Sequence, residues 1–104
     1  MTKYTLKEEQ IALFAKALGH PARLAIIQLL LKKKTCICGD IVNELPISQS
    51  TVSQHLKELK LAGLIKGNIT GVKTCYCIDE KQWNKVGKMF IELFAKKYEP
   101  KKCC

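Results

Sequence analysis

The sequence has no apolar run able to cross a bilayer: its greasiest stretch, Leu24 to Leu31, falls well short of the roughly 20 residues a spanning helix needs. The first ten residues carry Glu8 and Glu9 and no apolar segment followed by a cleavage pattern, so no secretory leader is expected. There is no Cys-x-x-Cys, no Gly-rich phosphate loop and no histidine set beside a nucleophile pattern, which argues against an enzyme such as a thiol oxidoreductase. Internal repeats, low-complexity tracts and linkers are also missing. Acidic residues are scarce, nine against 18 Lys and Arg, and histidine is scarcer still, with two and none beyond His55.

What is present follows from those gaps. A net charge of +9 with pI near 9.4 favours an acidic partner, nucleic acid above all. At 104 residues and 47% hydrophobic content the chain suits one domain, spanning 1–104, with a short cysteine-containing tail from about residue 99. Six cysteines form three close pairs: Cys36 with Cys38, Cys75 with Cys77, and Cys103 with Cys104. A cytoplasmic location is expected, where thiols stay reduced and such pairs more often mean metal or redox work than structural disulfides.

Periodicity predicts a mainly α chain with a small β-hairpin, in the order α-α-α-α-β-β-α. Leu6, Gln10, Leu13, Phe14, Ala17 and Leu18 recur at helical spacing until Gly19. Pro21 opens a second helix whose buried stripe is read as Leu24, Ile27 and Leu31, with Lys32 to Lys34 favouring its C-terminal dipole. A short helix is expected from Asp40 to Leu45, closed by Pro46, and a longer one follows with Ser48 as N-cap. After Gly63 the period shortens: Ile65 to Asn68 and Val72 to Ile78 read as strands around a turn at 69–71. A last helix from about Lys81 places Trp83, Val86, Phe90, Leu93, Phe94 and Tyr98 on one face.

The long helix after Ser48 carries the most specific signal. Val52, Leu56 and Leu59 share one face and point to a core, while Ser50, Ser53, Gln54 and Lys57 project oppositely. Short hydroxyls, an amide and a lysine suit base edges in a major groove, where a plain solvated face would favour Glu and Lys. Gln49 and Thr51, in the first turn, are placed to meet backbone phosphate near the positive helix end. Lys60, Lys66 and Lys73 flank the helix and the hairpin, suiting a wing that touches phosphates. His55 falls nearer the buried stripe and is read as a packing or hydrogen-bonding residue. Together these elements describe a winged helix-turn-helix.

Three segments, ALGHPARLAIIQLL, LPISQSTVSQHLKELKLAGLIKG and the strand around TCYCI, resemble the ArsR/SmtB family of small dimeric repressors that leave DNA on binding a metal or metalloid. The resemblance spans roughly Leu13 to Ile78. It implies a homodimer built on the first and last helices, with two recognition helices set for an inverted repeat in double-stranded operator DNA. One subgroup binds zinc through His and Asp on the last helix, which the lack of histidine there excludes. Another uses cysteines just before the Asp that opens the helix preceding the recognition helix. Cys36 and Cys38 resemble that arrangement, with Gly39 intervening before Asp40. Trivalent arsenic takes three thiolates, and the tail thiols Cys103 and Cys104 are expected to supply the remainder; cadmium and lead are the alternatives. Cys75 and Cys77 flank Tyr76 on a strand and are read first as small residues on a half-buried sheet. A rival within the same fold is a redox or persulfide sensor that closes a bridge from Cys36 to a tail cysteine.

Overall fold

The computed structural model describes residues 3–33, 36–38, 45–70 and 73–101, with the backbone alone at 38, 68–70, 73 and 74. Helix α1 (Leu6–Leu18) begins with a capping box: Thr5 Oγ1 accepts from the Glu8 amide at 3.1 Å, and Glu8 Oε1 accepts from the Thr5 amide at 2.9 Å. Phe14 and Ala17 turn inward. Helix α2 (Pro21–Lys33) starts with proline in its first turn, where the missing amide costs no hydrogen bond.

The stripe that α2 buries differs from the expected one. Ile26, Ile27 and Leu30 are inside, whereas Leu24 and Leu31 are exposed. Apolar residues surround this helix almost completely, so spacing alone does not choose a face; packing against α1 and helix α3 (Gln49–Leu61) does.

A strand not expected from the sequence follows α2. β1 (Ile37–Cys38) pairs antiparallel with β3 (Lys73–Ile78), which also pairs with β2 (Ile65–Thr70), giving the order β1-β3-β2. The segment around Cys36 and Cys38 is therefore drawn to the open edge of the wing, where β3 has unpaired backbone groups to offer. The hairpin is also longer than expected, since Thr70 faces Lys73 across a connection of two residues. The helix expected over Asp40–Leu45 falls mostly on 39–44, outside the described residues.

Helix α3 is capped as expected, Ser48 Oγ accepting from the Thr51 amide. At its other end Gly63 adopts φ +85°, a left-handed conformation that penalises any Cβ. The Gly63 amide reaches Lys60 O at 3.0 Å and the Leu64 amide reaches Leu59 O at 3.1 Å, the paired bonds of a Schellman closure. That closure turns the chain directly into β2. Helix α4 (Glu80–Phe94) is capped by Asp79 and buries Val86 and Met89, with Trp83 and Phe90 partly covered. It ends before the expected face does: Tyr98 lies beyond it, and Phe94 is 78% exposed. The core joins Phe14 to Ile26, Leu30, Leu59 and Leu64, the last four completely enclosed.

Candidate nucleic-acid interface and thiol site

The two faces of α3 separate cleanly. Val52, His55, Leu56 and Leu59 are buried; Gln49, Ser50, Thr51, Ser53, Gln54, Lys57 and Lys60 are exposed. Burial of three aliphatic side chains, each contributing on the order of 1.5–3 kcal/mol, fixes which face is offered to solvent. The hydroxyls at the helix start form a small cluster, Ser48 Oγ lying 2.9 Å from Thr51 Oγ1 and 3.4 Å from Ser50 Oγ. Gln54 Nε2 sits 3.5 Å from Glu58 Oε1, a loose contact that leaves its amide available. No side chain on this face is apolar except Leu61, at the helix end.

The wing lies beside that helix. Gly67 faces Tyr76 across the β2–β3 pair, and a Cβ on Gly67 would stand 3.2 Å from the tyrosine ring and 3.5 Å from Lys60 Nζ. Absence of a side chain there lets the ring cover the strand and brings the Lys60 ammonium over the wing. Lys66 is exposed on β2, and Lys73 opens β3. Lys66 thus extends the cationic surface of α3 onto the hairpin.

Behind the helix, His55 is buried and pinned. Arg23 Nε on α2 donates to His55 Nδ1 at 3.0 Å, and the His20 ring lies 4.3 Å from it, centroid to centroid. Arg23 Nη1 also reaches the carbonyls of Lys16 and Ala17 near the end of α1. Burial, reinforced by the His20 ring and the Arg23 charge, holds the His55 pKa below the ordinary histidine value. The neutral imidazole accepts the arginine proton, as the packing role expected for His55 requires. Arg23 as its partner had no signal in the sequence, because the two residues are remote along the chain.

The register of β1 on β3 gathers cysteines. Ile37 faces Tyr76 and Cys38 faces Cys75; one step further along the same register puts Cys36 opposite Cys77. The Cys36 and Cys77 thiols lie close enough for one to shift the titration of the other; both are free, and both are half-buried. Cys75 is buried and engaged in a disulfide. Burial comes first, and then the Cys36 thiol, in pushing the Cys77 pKa up; Lys66, its cross-strand partner on β2, pulls in the opposite direction. The expected companions of Cys36 and Cys38, Cys103 and Cys104, lie outside the described residues. Among the described residues no three His, Cys, Asp or Glu side chains are grouped so as to hold a metal ion.

Comparison with known proteins bears on this arrangement. The sequence profile of the bacterial regulatory protein, arsR family, matches residues 20–66, from the start of α2 into the wing. An uncharacterised HTH-type transcriptional regulator of Methanocaldococcus jannaschii is 38% identical over 88 residues, which is 84% of this chain and 98% of that protein. The chain belongs to the arsR family. Its fold is that of solved arsR-family structures. An ArsR-like transcriptional regulator from Rhodococcus sp. RHA1 superposes with a TM-score of 0.72 at 21% identity, over 85% of this chain and 82% of that one. A homodimeric winged helix-turn-helix DNA-binding domain from Mycobacterium bovis superposes at 0.66 with 20% identity, over 97% and 99%. This arsR-family protein is therefore a winged helix-turn-helix transcriptional regulator. Among its described residues no helix is long and apolar enough to cross a membrane.

Proposed function

We propose that this arsR-family protein is a cytoplasmic homodimeric repressor that holds an inverted-repeat operator and lets go when its cysteine thiolates capture trivalent arsenic, as arsenite or an organoarsenical. The observation that carries the DNA half is the exposed polar face of α3, bordered by Lys57, Lys60 and Lys66 in a chain of net charge +9. Ser50, Ser53, Gln54 and Lys57 are the base-reading candidates, the lysine suiting guanine or phosphate; Gln49, Thr51, Lys60, Lys66 and Lys73 are assigned to phosphate.

The dimer is supported by surface that one chain leaves uncovered. Phe94, Ile91 and Leu6 are 78%, 69% and 74% exposed, and a groove of 230 Å³ opens between Leu18, Trp83, Val86, Gly87 and Phe90. The radius of gyration, 16.6 Å, exceeds the roughly 13 Å of a compact chain this long. Two copies joined through α1 and α4 would cover these faces and set two α3 helices for successive major grooves.

The inducer half rests on Cys36, ahead of the reading helix and in contact with the wing. Soft thiolates select arsenic, or cadmium and lead as alternatives, over hard ions. In this reading Cys36 supplies a thiolate, and those of Cys38, Cys103 and Cys104 that are not bonded to Cys75 supply more where three are needed. The disulfide at Cys75 favours a second reading, in which a peroxide or persulfide removes two hydrogens from a thiol pair and the new disulfide is the signal. Mass spectrometry separates the two, as an added arsenic or as a loss of two mass units. The proposal is tested by selecting duplexes from genomic fragments with the purified protein: an inverted repeat protected on two successive grooves is expected, and retention without sequence preference would contradict it.

A further inference from the structure

The expected thiol site joins Cys36 to the C-terminal tail, yet the thiol that Cys36 meets is in the wing. We infer that Cys36 and Cys77 together form a two-thiol site for trivalent arsenicals, bridging β1 to β3, with the wing as the element that carries capture to DNA. The inference rests on the regulatory reading above and supplies the partner ligand that reading leaves open.

Three observations carry it. The first is availability: both sulfurs are free and half-buried, and the Cys36 thiol is near enough to push the Cys77 pKa up, so a thiophilic atom need replace two S–H protons without moving the backbone far. The second is register. Directly opposed residues of an antiparallel pair lie on the same face, and Cys36 and Cys77 fall one step beyond the Ile37–Tyr76 pair. The third is number. Two free thiols are opposed here, and Cys75, the next cysteine on β3, is already bonded. A monosubstituted arsenical, which keeps one organic group and binds two sulfurs, matches two thiols. Its capture balances simply: an arylarsonous acid, ArAs(OH)2, and two thiols give an aryl dithioarsonite, ArAs(SR)2, and two waters, with arsenic trivalent throughout. Each thiol proton leaves in water, and no oxidant or reductant is needed.

The position of the pair connects it to DNA. Lys66 faces Cys77 on the other side, so Cys36, just ahead of β1, extends the Cys77–Lys66 row of β3 and β2. A covalent bridge at one end of the row fixes the spacing of strands whose other end carries a cation assigned to phosphate. Half-burial shields the site from bulk thiols while leaving an approach from solvent.

The test uses the full-length protein carrying Cys103→Ser and Cys104→Ser, so that the adjacent tail thiols cannot themselves take the probe, phenylarsine oxide. Native mass spectrometry is expected to show one phenylarsenic per chain, lost on adding Cys77→Ser or Cys36→Ser. In the wild-type chain the probe should protect Cys36 and Cys77 together from iodoacetamide, as read by peptide mapping, which removes any dependence on how the variants fold. Uptake that survives Cys77→Ser, or unchanged alkylation of Cys77 in loaded protein, would overturn the site. Operator release is measured on the same samples. If phenylarsenic sits on Cys36 and Cys77 and DNA stays bound, the site stands and the regulatory reading fails; if DNA leaves equally well from the Cys77→Ser protein, the regulatory reading stands and the site fails. With Cys77→Ser the probe concentration for half-release is expected to rise at least tenfold.

Discussion

Arg23 Nε donates a hydrogen bond to His55 Nδ1 across the α2–α3 interface, 3.0 Å apart, from a half-buried guanidinium to a buried ring. This bond fixes the back of the helix whose exposed front is proposed to meet DNA. It also makes the neutral imidazole a structural requirement, because a protonated Nδ1 would face the arginine donor with a second N–H.

Arg23→Ala should therefore lower stability by about 1–3 kcal/mol, the cost of leaving a buried acceptor unpartnered. Urea unfolding followed by circular dichroism reads this directly. A midpoint equal to wild type would mean that His55 finds another partner at no cost.

The same pair sets a pH dependence. The folded pKa of His55 is depressed, so its contribution is complete above the unfolded value near 6.5 and is lost as pH falls from there through the folded value. Wild type should be less stable at pH 5.5 than at 7.5. His55→Gln, facing the same Arg23, His20 and Glu58, should be less stable at 7.5 and lose less on acidification. An equal loss in both proteins would place the titrating group elsewhere.

Much of this arrangement was readable in advance and part was not, for physical reasons. Helix α3 and its Ser48 cap announce themselves locally: a hydroxyl precedes an amphipathic run, and the side chains of Val52, Leu56 and Leu59 repeat at 3.6 residues. The inward face of α2 has no such signature, because Ile26, Ile27, Leu29, Leu30 and Leu31 are all apolar and the neighbours choose among them. β1 is two residues long and exists through its pairing with β3, a contact between distant parts of the chain. Cys77 was read as sheet filling for the same reason: local alternation places it on a face, and the partner on that face comes from far away in sequence.

On α3, Gln54→Ala and Lys57→Ala should differ in kind. Loss of the amide is expected to cost about 1–3 kcal/mol on the preferred operator and little on unrelated DNA. Loss of the lysine should weaken both and reduce the slope of log affinity against log salt by about one. Anisotropy titrations at several salt concentrations distinguish them. Equal losses on both sequences for Gln54→Ala would remove it from base reading.

Phe94→Glu tests the assembly. Because Phe94 is 78% exposed in the single chain, the change should leave helical content intact while converting a dimer to a monomer by sedimentation. Operator affinity should fall by at least tenfold, since one half-site then binds alone. A dimer that persists unchanged would move the interface off this end of α4.

The most direct test of the whole account is operator release measured by fluorescence anisotropy during titration with arsenite, cadmium, lead and zinc, on wild type and on Cys36→Ser. Coupling between ion and DNA binding is reciprocal and typically about 1–3 kcal/mol, a change of roughly 5- to 150-fold in affinity. Arsenite is expected to release wild type at the lowest concentration while Cys36→Ser stays bound. Equal grip on the operator with the thiols filled or empty, or a normal response from Cys36→Ser, would contradict the account.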